Sequence, residues 1–187
     1  MKKLSRLFWL ILYYGFARYL PASYRPIVGK LSRGLRNQCA RHLFKKCGHS
    51  INIDHMANFG TGSAVELGNH SCMGVHCHFP NDIKIGEYVM FGPHCHILGN
   101  VTHNYDRVDI PIGEQGSRKI EKRTIIGNDV WMGRQCLMIP GHVIGDHSII
   151  GAGSVVSKDI PEYSVAVGNP IRVIRDRRDH VSMTKSE

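Results

Sequence analysis

The sequence predicts a mainly β chain: a parallel β-helix of hexapeptide repeats, with a helical N-terminal segment and one protruding loop. Three observations carry this. An apolar residue returns every sixth position at Ile126, Met132, Met138, Ile144, Ile150 and Val156, with glycine following at Gly127, Gly133, Gly145 and Gly151. The same period runs earlier through Leu67, Met73, Phe79, Ile85, Phe91 and Ile97, again with glycines behind it. Between the two runs the pattern lapses for some twenty residues. A helix with 3.6 residues per turn cannot hold a strict period of six, and simple alternation does not place the glycines; short strands that each turn a corner account for both.

Each element then follows in order. Four residues after each apolar position of the later run come Val130, Cys136, His142, Ser148, Ser154 and Ile160, mostly small or apolar, as an inward corner position requires. Ile53, Phe59 and Val65 keep the same spacing, and the register then slips by two at Val65–Leu67. The chain has 187 residues and is 42% hydrophobic, which suits one continuous core plus an appendage. A solenoid must cover its ends, so a capping segment is expected.

That appendage is residues 1–50. They hold eleven Lys or Arg and no Asp or Glu, whereas the other 137 residues carry 13 basic against 15 acidic; the net charge of +9 therefore belongs to this segment. Leu4, Leu7, Phe8, Ile11 and Tyr14 recur at helical spacing, as do Val28, Leu31, Leu35 and Leu43. Pro21 and Pro26 separate the two helices and Gly48 closes the second. Two readings stay open: a helical cap whose apolar stripes pack on the solenoid or on a partner subunit, and a basic amphipathic face resting on an anionic membrane. The apolar run Phe8–Tyr14 falls well short of the roughly 20 residues that span a bilayer. It lacks a small-residue cleavage site, so a signal peptide is not expected. No recognition motif accompanies the basic residues, so nucleic acid is not expected as a partner.

Six cysteines (Cys39, Cys47, Cys72, Cys77, Cys95, Cys136) form no CxxC pair and no disulfide spacing, and read as reduced thiols of a cytoplasmic protein. Cys77, Cys95 and Cys136 fall at inward corner positions. His76 with His94, and His78 with His96, are each 18 residues apart, one triangular coil, so their imidazoles stack. No carboxylate completes a ligand set, and no metal is expected. After Ile97 the next repeat position is His103, where an excursion to Thr124 begins. A histidine at the point where the chain leaves a rigid wall is held firmly yet reaches solvent, and suits proton abstraction from a hydroxyl. Long loops in compact repeat proteins are usually functional.

The blocks NDVWMG (128–133), IGAGSVVSKDIP (150–161) and GNPIRVIR (168–175), with NVTHNYD (100–106), resemble the hexapeptide-repeat O-acetyltransferases, among them the galactoside, maltose, streptogramin and polysaccharide-biosynthesis enzymes. The resemblance covers about two thirds of the chain. It implies a left-handed coil, an exception to the usual right-handed crossover. It also implies a homotrimer with sites between neighbours, acetyl-CoA as co-substrate, and His103 as general base in direct transfer within a ternary complex. The backbone N–H of Arg134 matches the oxyanion donor, and Trp131 and Gly133 line the groove beside it. Ala152 matches the pantetheine contact, Ser157 and Lys158 the nucleotide end, and Arg172 and Arg175 suit phosphate. Asn81 and Asp82 match an acidic loop that holds the acceptor sugar, and Tyr105 and Asp106 are expected to line the same pocket because they adjoin His103. The expected domains are a basic helical segment (1–50), a left-handed β-helix acyltransferase domain (51–175) with its loop (103–124), and a polar tail (176–187). The expected acceptor is a saccharide hydroxyl of capsule or exopolysaccharide type, met in the cytoplasm or at the inner membrane face. A streptogramin-type antibiotic acetyltransferase and a non-catalytic scaffold are the alternatives; the intact motifs argue against the scaffold.

Overall fold

A computed structural model describes residues 2–179; most of the expected C-terminal tail, residues 180–187, lies outside them. The fold is a left-handed β-helix of about six turns behind an N-terminal helical segment. The six-residue period appears directly as two-residue parallel strands on three sheets. One sheet stacks Lys46–Cys47, Glu66–Leu67, Lys84–Ile85, Ile125–Ile126 and Val143–Ile144. A second holds Met90–Phe91, Trp131–Met132 and Ile149–Ile150, and a third His96–Ile97, Leu137–Met138 and Val155–Val156. The repeat apolar residues point inward: Met73, Met132, Met138, Ile144 and Val156 are fully buried.

The glycines behind them serve close approach. A Cβ on Gly86 would lie 2.6 Å from the Gly127 carbonyl oxygen, and one on Gly133 would lie 2.5 Å from the Ala152 nitrogen. Left-handed backbone falls instead two residues further on, at His70, His76, Tyr88, His94, Asp129, Gln135 and His147, with φ between +50° and +62°. His and Asp are among the residue types that tolerate this region best. Their outward side chains stack coil on coil: the His76 and His94 rings are 5.0 Å apart and nearly parallel, and His147 stacks on Tyr163 at 4.7 Å. The histidine columns are thus a consequence of corner geometry. Among the described residues no group of three or more His, Cys, Asp or Glu is arranged to hold a metal ion. The inward thiols of Cys77, Cys95 and Cys136 donate to the carbonyls of Gly92, Gly133 and Gly151 in the next coil, at 3.3, 3.0 and 3.2 Å.

The register slip lies earlier than the sequence pattern places it. Asn52–Ile53 pairs with Cys72–Met73, twenty residues on, whereas Glu66–Leu67 pairs with Lys84–Ile85, eighteen on. The two extra residues occupy the turn between Phe59 and Val65, where Gly60 and Gly62 have φ of +59° and +71°. Val65 is therefore the partner of Ile51 and Ala57 at the second inward position, and its six-residue distance from Phe59 is a coincidence.

Two helices, α1 (Lys2–Gly15) and α2 (Val28–Leu43), cover the first coil. The second ends at Leu43 with an extended Phe44 and not at Gly48, which sits in the first corner. The cap is built with polar groups, because the end of a solenoid presents open backbone donors and acceptors. Asn37 acts as a surrogate strand: its Nδ2 donates to the Ile51 carbonyl at 2.7 Å and its Oδ1 accepts from the Ile53 N–H at 3.0 Å. The fully buried Arg36 donates to the carbonyls of Ile53, Leu20 and Pro21 and lies 3.7 Å from Asp54. Tyr13 donates to the Ala57 carbonyl and Tyr14 to that of Gly60, at 2.8 and 2.7 Å.

Of the first apolar stripe only Tyr14 packs on the solenoid. Tyr13 and Ala17 are buried and Trp9, Leu10 and Tyr14 partly so, whereas Leu4, Leu7, Phe8 and Ile11 point to solvent at 76, 52, 58 and 63% exposure. Val28 and Leu31 are likewise exposed, and only Leu35 and Leu43 of the second stripe pack inward. Apolar side chains cannot satisfy the open carbonyls of the coil, so the face with hydroxyls takes that place.

Gly86→Ala should lower stability by about 1–3 kcal/mol through coil separation. Gly34→Ala, in α2 with nothing within 4 Å of its Cβ, should raise it by about 0.5–1 kcal/mol; urea denaturation measures both.

Candidate active site

The excursion departs from the third corner as an antiparallel hairpin, Val101–His103 against Ser117–Lys119, two residues before His103. It is pinned at its base. Asn100 donates to Asp82 at 2.8 Å, and Ile120 N–H donates to the Asn100 carbonyl at 2.7 Å. On the return path, Arg123 donates to the carbonyls of Asp82, Ala64 and Ile83 and pairs with Glu66 at 3.1 Å. Glu66 also accepts from Lys45 at 2.9 Å, and chiefly this bond, with Arg123 added, holds its carboxyl down to about 2 from 4.5.

His103 ends the first strand of this arm, pairs with Ser117 and is exposed. The backbone beyond it is fixed by Asn104, whose N–H donates to the Gly116 carbonyl at 3.1 Å and whose side chain donates to that of Gln115 at 3.0 Å. The imidazole is thus held on a stiff ribbon and free at its tip. Tyr105 and Asp106 gather beside it around Arg118, whose guanidinium lies 5.3 Å from the Tyr105 ring and 3.4 Å from the Asp106 carboxylate. Arg118 is a site residue that sequence reasoning missed. It lies outside every repeat and motif, and only the hairpin register brings it here.

Asn81 and Asp82 sit on the third corner beneath the arm with their polar groups engaged inside the chain. Asn81 Oδ1 accepts from Thr61 Oγ1 and the Ser63 N–H, at 2.8 and 2.9 Å. Asp82 holds the arm's root.

Trp131, Gly133, Arg134 and Ala152 form a second group. Trp131 stands half exposed on the outer face of the second sheet, one coil above Met90. Arg134 and Ala152 succeed each other on the second corner, where the Gly153 N–H donates to the Arg134 carbonyl at 2.8 Å. The corners differ in degree. At the first, the outward N–H groups of His49, Glu87 and Asn128 are taken by the side chains of Asn69, Asn128 and Asp146, at 3.0, 2.9 and 2.8 Å, whereas those of Asn69 and Asp146 have no acceptor among the described residues. At the second, the equivalent N–H groups of Arg134 and Ala152 have no acceptor among the described residues. Two outward donors one coil apart are ready for carbonyl oxygens.

Ser157 and Lys158 follow the next strand and are exposed. Arg172 and Arg175 lie on Arg172–Asp176, the antiparallel strand against Ser164–Val167 that closes the far end. None of Lys158, Arg172 and Arg175 forms an ion pair among the described residues, so these cations remain available to phosphate. The structure does not bring His103 and Arg134 together within one chain. The arm leaves the coil of Met90–Phe91 and His96–Ile97, Arg134 lies one coil above it, and the width of the third sheet separates the Arg134 corner from the arm's root. All six cysteines are free and none is on the arm; burial pushes the Cys39 and Cys47 thiols up to about 11.

A left-handed β-helix with open donors at one corner and an inserted arm bearing a histidine defines an acyltransferase class, and the comparisons agree. Over 145 residues the chain is 34% identical to the galactoside O-acetyltransferase of Escherichia coli K12, covering 77% of this chain and 70% of that one. Among solved structures it resembles a maltose O-acetyltransferase from Clostridium difficile 630, with 33% identity, a TM-score of 0.66, and coverage of 76% and 75%. It also resembles a galactoside acetyltransferase in complex with coenzyme A, with 28% identity, a TM-score of 0.76, and coverage of 97% and 84%. No family model matches the chain. The chain belongs to the hexapeptide-repeat O-acetyltransferases; it is an enzyme that uses acetyl-CoA as co-substrate.

Because Glu66 titrates lower in the folded chain, its contribution is complete above 4.5 and disappears as pH falls toward about 2. The stability gap between the wild type and Glu66→Gln should therefore close across that window, followed by chemical denaturation at stepped pH.

Proposed function

We propose that this enzyme transfers acetyl from acetyl-CoA to a hydroxyl of a saccharide, of the kind used in capsule or exopolysaccharide assembly, by direct attack in a ternary complex. The observation that carries the reading is the pair of open N–H groups on Arg134 and Ala152, one coil apart and beside the half-exposed Trp131. Acetyl-CoA supplies an activated acetyl group as a thioester. The Arg134 N–H faces outward where a thioester carbonyl would develop negative charge, and a fixed backbone donor costs no reorganisation at that moment. The Ala152 N–H, one coil along, suits a pantetheine amide. Lys158, Arg172 and Arg175 offer positive charge further toward the solenoid's end, where the phosphates would lie. His103 takes the proton from the acceptor hydroxyl and returns it to the leaving thiolate. Tyr105, Asp106 and Arg118 offer hydroxyl, carboxylate and guanidinium to the sugar.

The separation of His103 from Arg134 within one chain supports a homotrimer in which the arm of one copy meets the second corner of its neighbour. Six free thiols accord with a reducing, cytoplasmic setting.

His103→Ala should lower kcat by about 10²–10⁴-fold, and Arg134→Pro by about 10²–10³-fold, with Arg134→Ala close to wild type because it keeps the N–H. Pro93 already occupies the equivalent position one coil below, so the backbone there accepts proline. Thiol release from acetyl-CoA over a panel of sugars reads all three; wild-type turnover in His103→Ala removes the base from this mechanism. Lys158→Ala and Arg172→Ala should raise the KM for acetyl-CoA more than they lower kcat. Equal competition by CoA and dephospho-CoA would exclude a 3′-phosphate contact.

A further inference from the structure

The cap leaves a helix face without a partner. On α1, Leu4, Leu7, Phe8 and Ile11 are all more than half exposed, at the i, i+3, i+4, i+7 spacing that lines one side of a helix. The adjoining side is committed to the solenoid through Tyr13 and Tyr14. Leu4, Leu7 and Phe8 are turned to solvent, and Ile11, also exposed, borders the contact of Tyr14 with Asn58 and Gly60. Phe16, Tyr19, Tyr24 and Ile27 continue the exposed apolar surface beyond it.

Charge decides what covers this face. Residues 1–50 carry eleven cations and no acidic residue. Arg25, Lys30, Arg33 and Arg41 are exposed and form no ion pair among the described residues. A second copy docked face to face would press two wholly cationic segments together. An acidic surface with an apolar interior matches both properties at once. At 14 residues, α1 is too short to span a bilayer, and no helix among the described residues is long and apolar enough to cross one. A helix of this kind lies in the plane of the interface.

We propose that α1 docks the enzyme on an anionic lipid surface, its Leu4–Leu7–Phe8–Ile11 stripe entering the headgroup boundary while the cations of the segment hold the phosphates. The inference is independent of the acceptor. Attraction brings the segment to the surface and is weakened by salt, and the stripe supplies the hold that remains.

The test is co-sedimentation of the full chain with phosphatidylcholine vesicles, with and without phosphatidylglycerol, at low and high salt. Binding should require phosphatidylglycerol and weaken in salt. Leu7→Glu/Phe8→Glu and Leu7→Ser/Phe8→Ser should each reduce it by about tenfold or more. Both pairs are solvent-facing, so thermal melting, sedimentation velocity and acetyl-CoA turnover should stay as in wild type. Absence of vesicle binding by the wild type would overturn the proposal, as would wild-type binding by both variants. Dissociation of the oligomer in the serine variant would assign the face to a second copy.

Discussion

Everything in this molecule depends on how closely successive coils approach at their corners. Backbone meets backbone there with no room for a Cβ, which is why Gly86 and Gly133 have no side chain. Two consequences follow. The chain must turn through left-handed backbone two residues later, and the residues placed there project outward in columns. The amides on the outside of each turn must also find acceptors elsewhere or remain open. The first corner closes most of them with Asn and Asp side chains from the coil above. The second leaves Arg134 and Ala152 open, and on the proposed function these two amides are the donors that meet acetyl-CoA.

The same constraint shapes both ends. A coil cannot finish without exposing donors and acceptors, so Asn37 and Arg36 imitate the missing neighbour on one side. The antiparallel strand Arg172–Asp176 covers the other. That strand is also where the free cations Arg172 and Arg175 stand. The arm is the larger departure from the repeat, and Arg123, Asn100 and Asp82 rivet its base to the wall so that His103 is presented on a paired ribbon.

Much of the coil was legible in the sequence because inward positions are chosen by volume and recur in register. Leu67, Met73, Ile85, Ile97, Met132 and Ile144 were all readable from their spacing and are all buried. The motif NDVWMG was readable as a corner because it repeats the fixed local pattern of an inward apolar residue followed by glycine. Three things were not. The slip was misplaced because Val65 is apolar and happens to fall six residues after Phe59, although it belongs to the other inward row. The side of α1 that meets the solenoid was not legible because apolar periodicity cannot report that the surface beneath consists of carbonyls, to which Tyr13 and Tyr14 donate. Arg118 was invisible because its neighbours Tyr105 and Asp106 reach it through hairpin register, which no local pattern encodes.

On the proposed function, the arm histidine of one copy works against the open corner of another. Subunit complementation tests it most directly: His103→Ala and Arg134→Pro chains, each inactive alone, are co-expressed with different tags and purified as mixed oligomers. Mixed oligomers should regain acetyl transfer, since pairing an intact arm with an intact corner rebuilds a site. Mixed oligomers as inactive as either parent would contradict the claim.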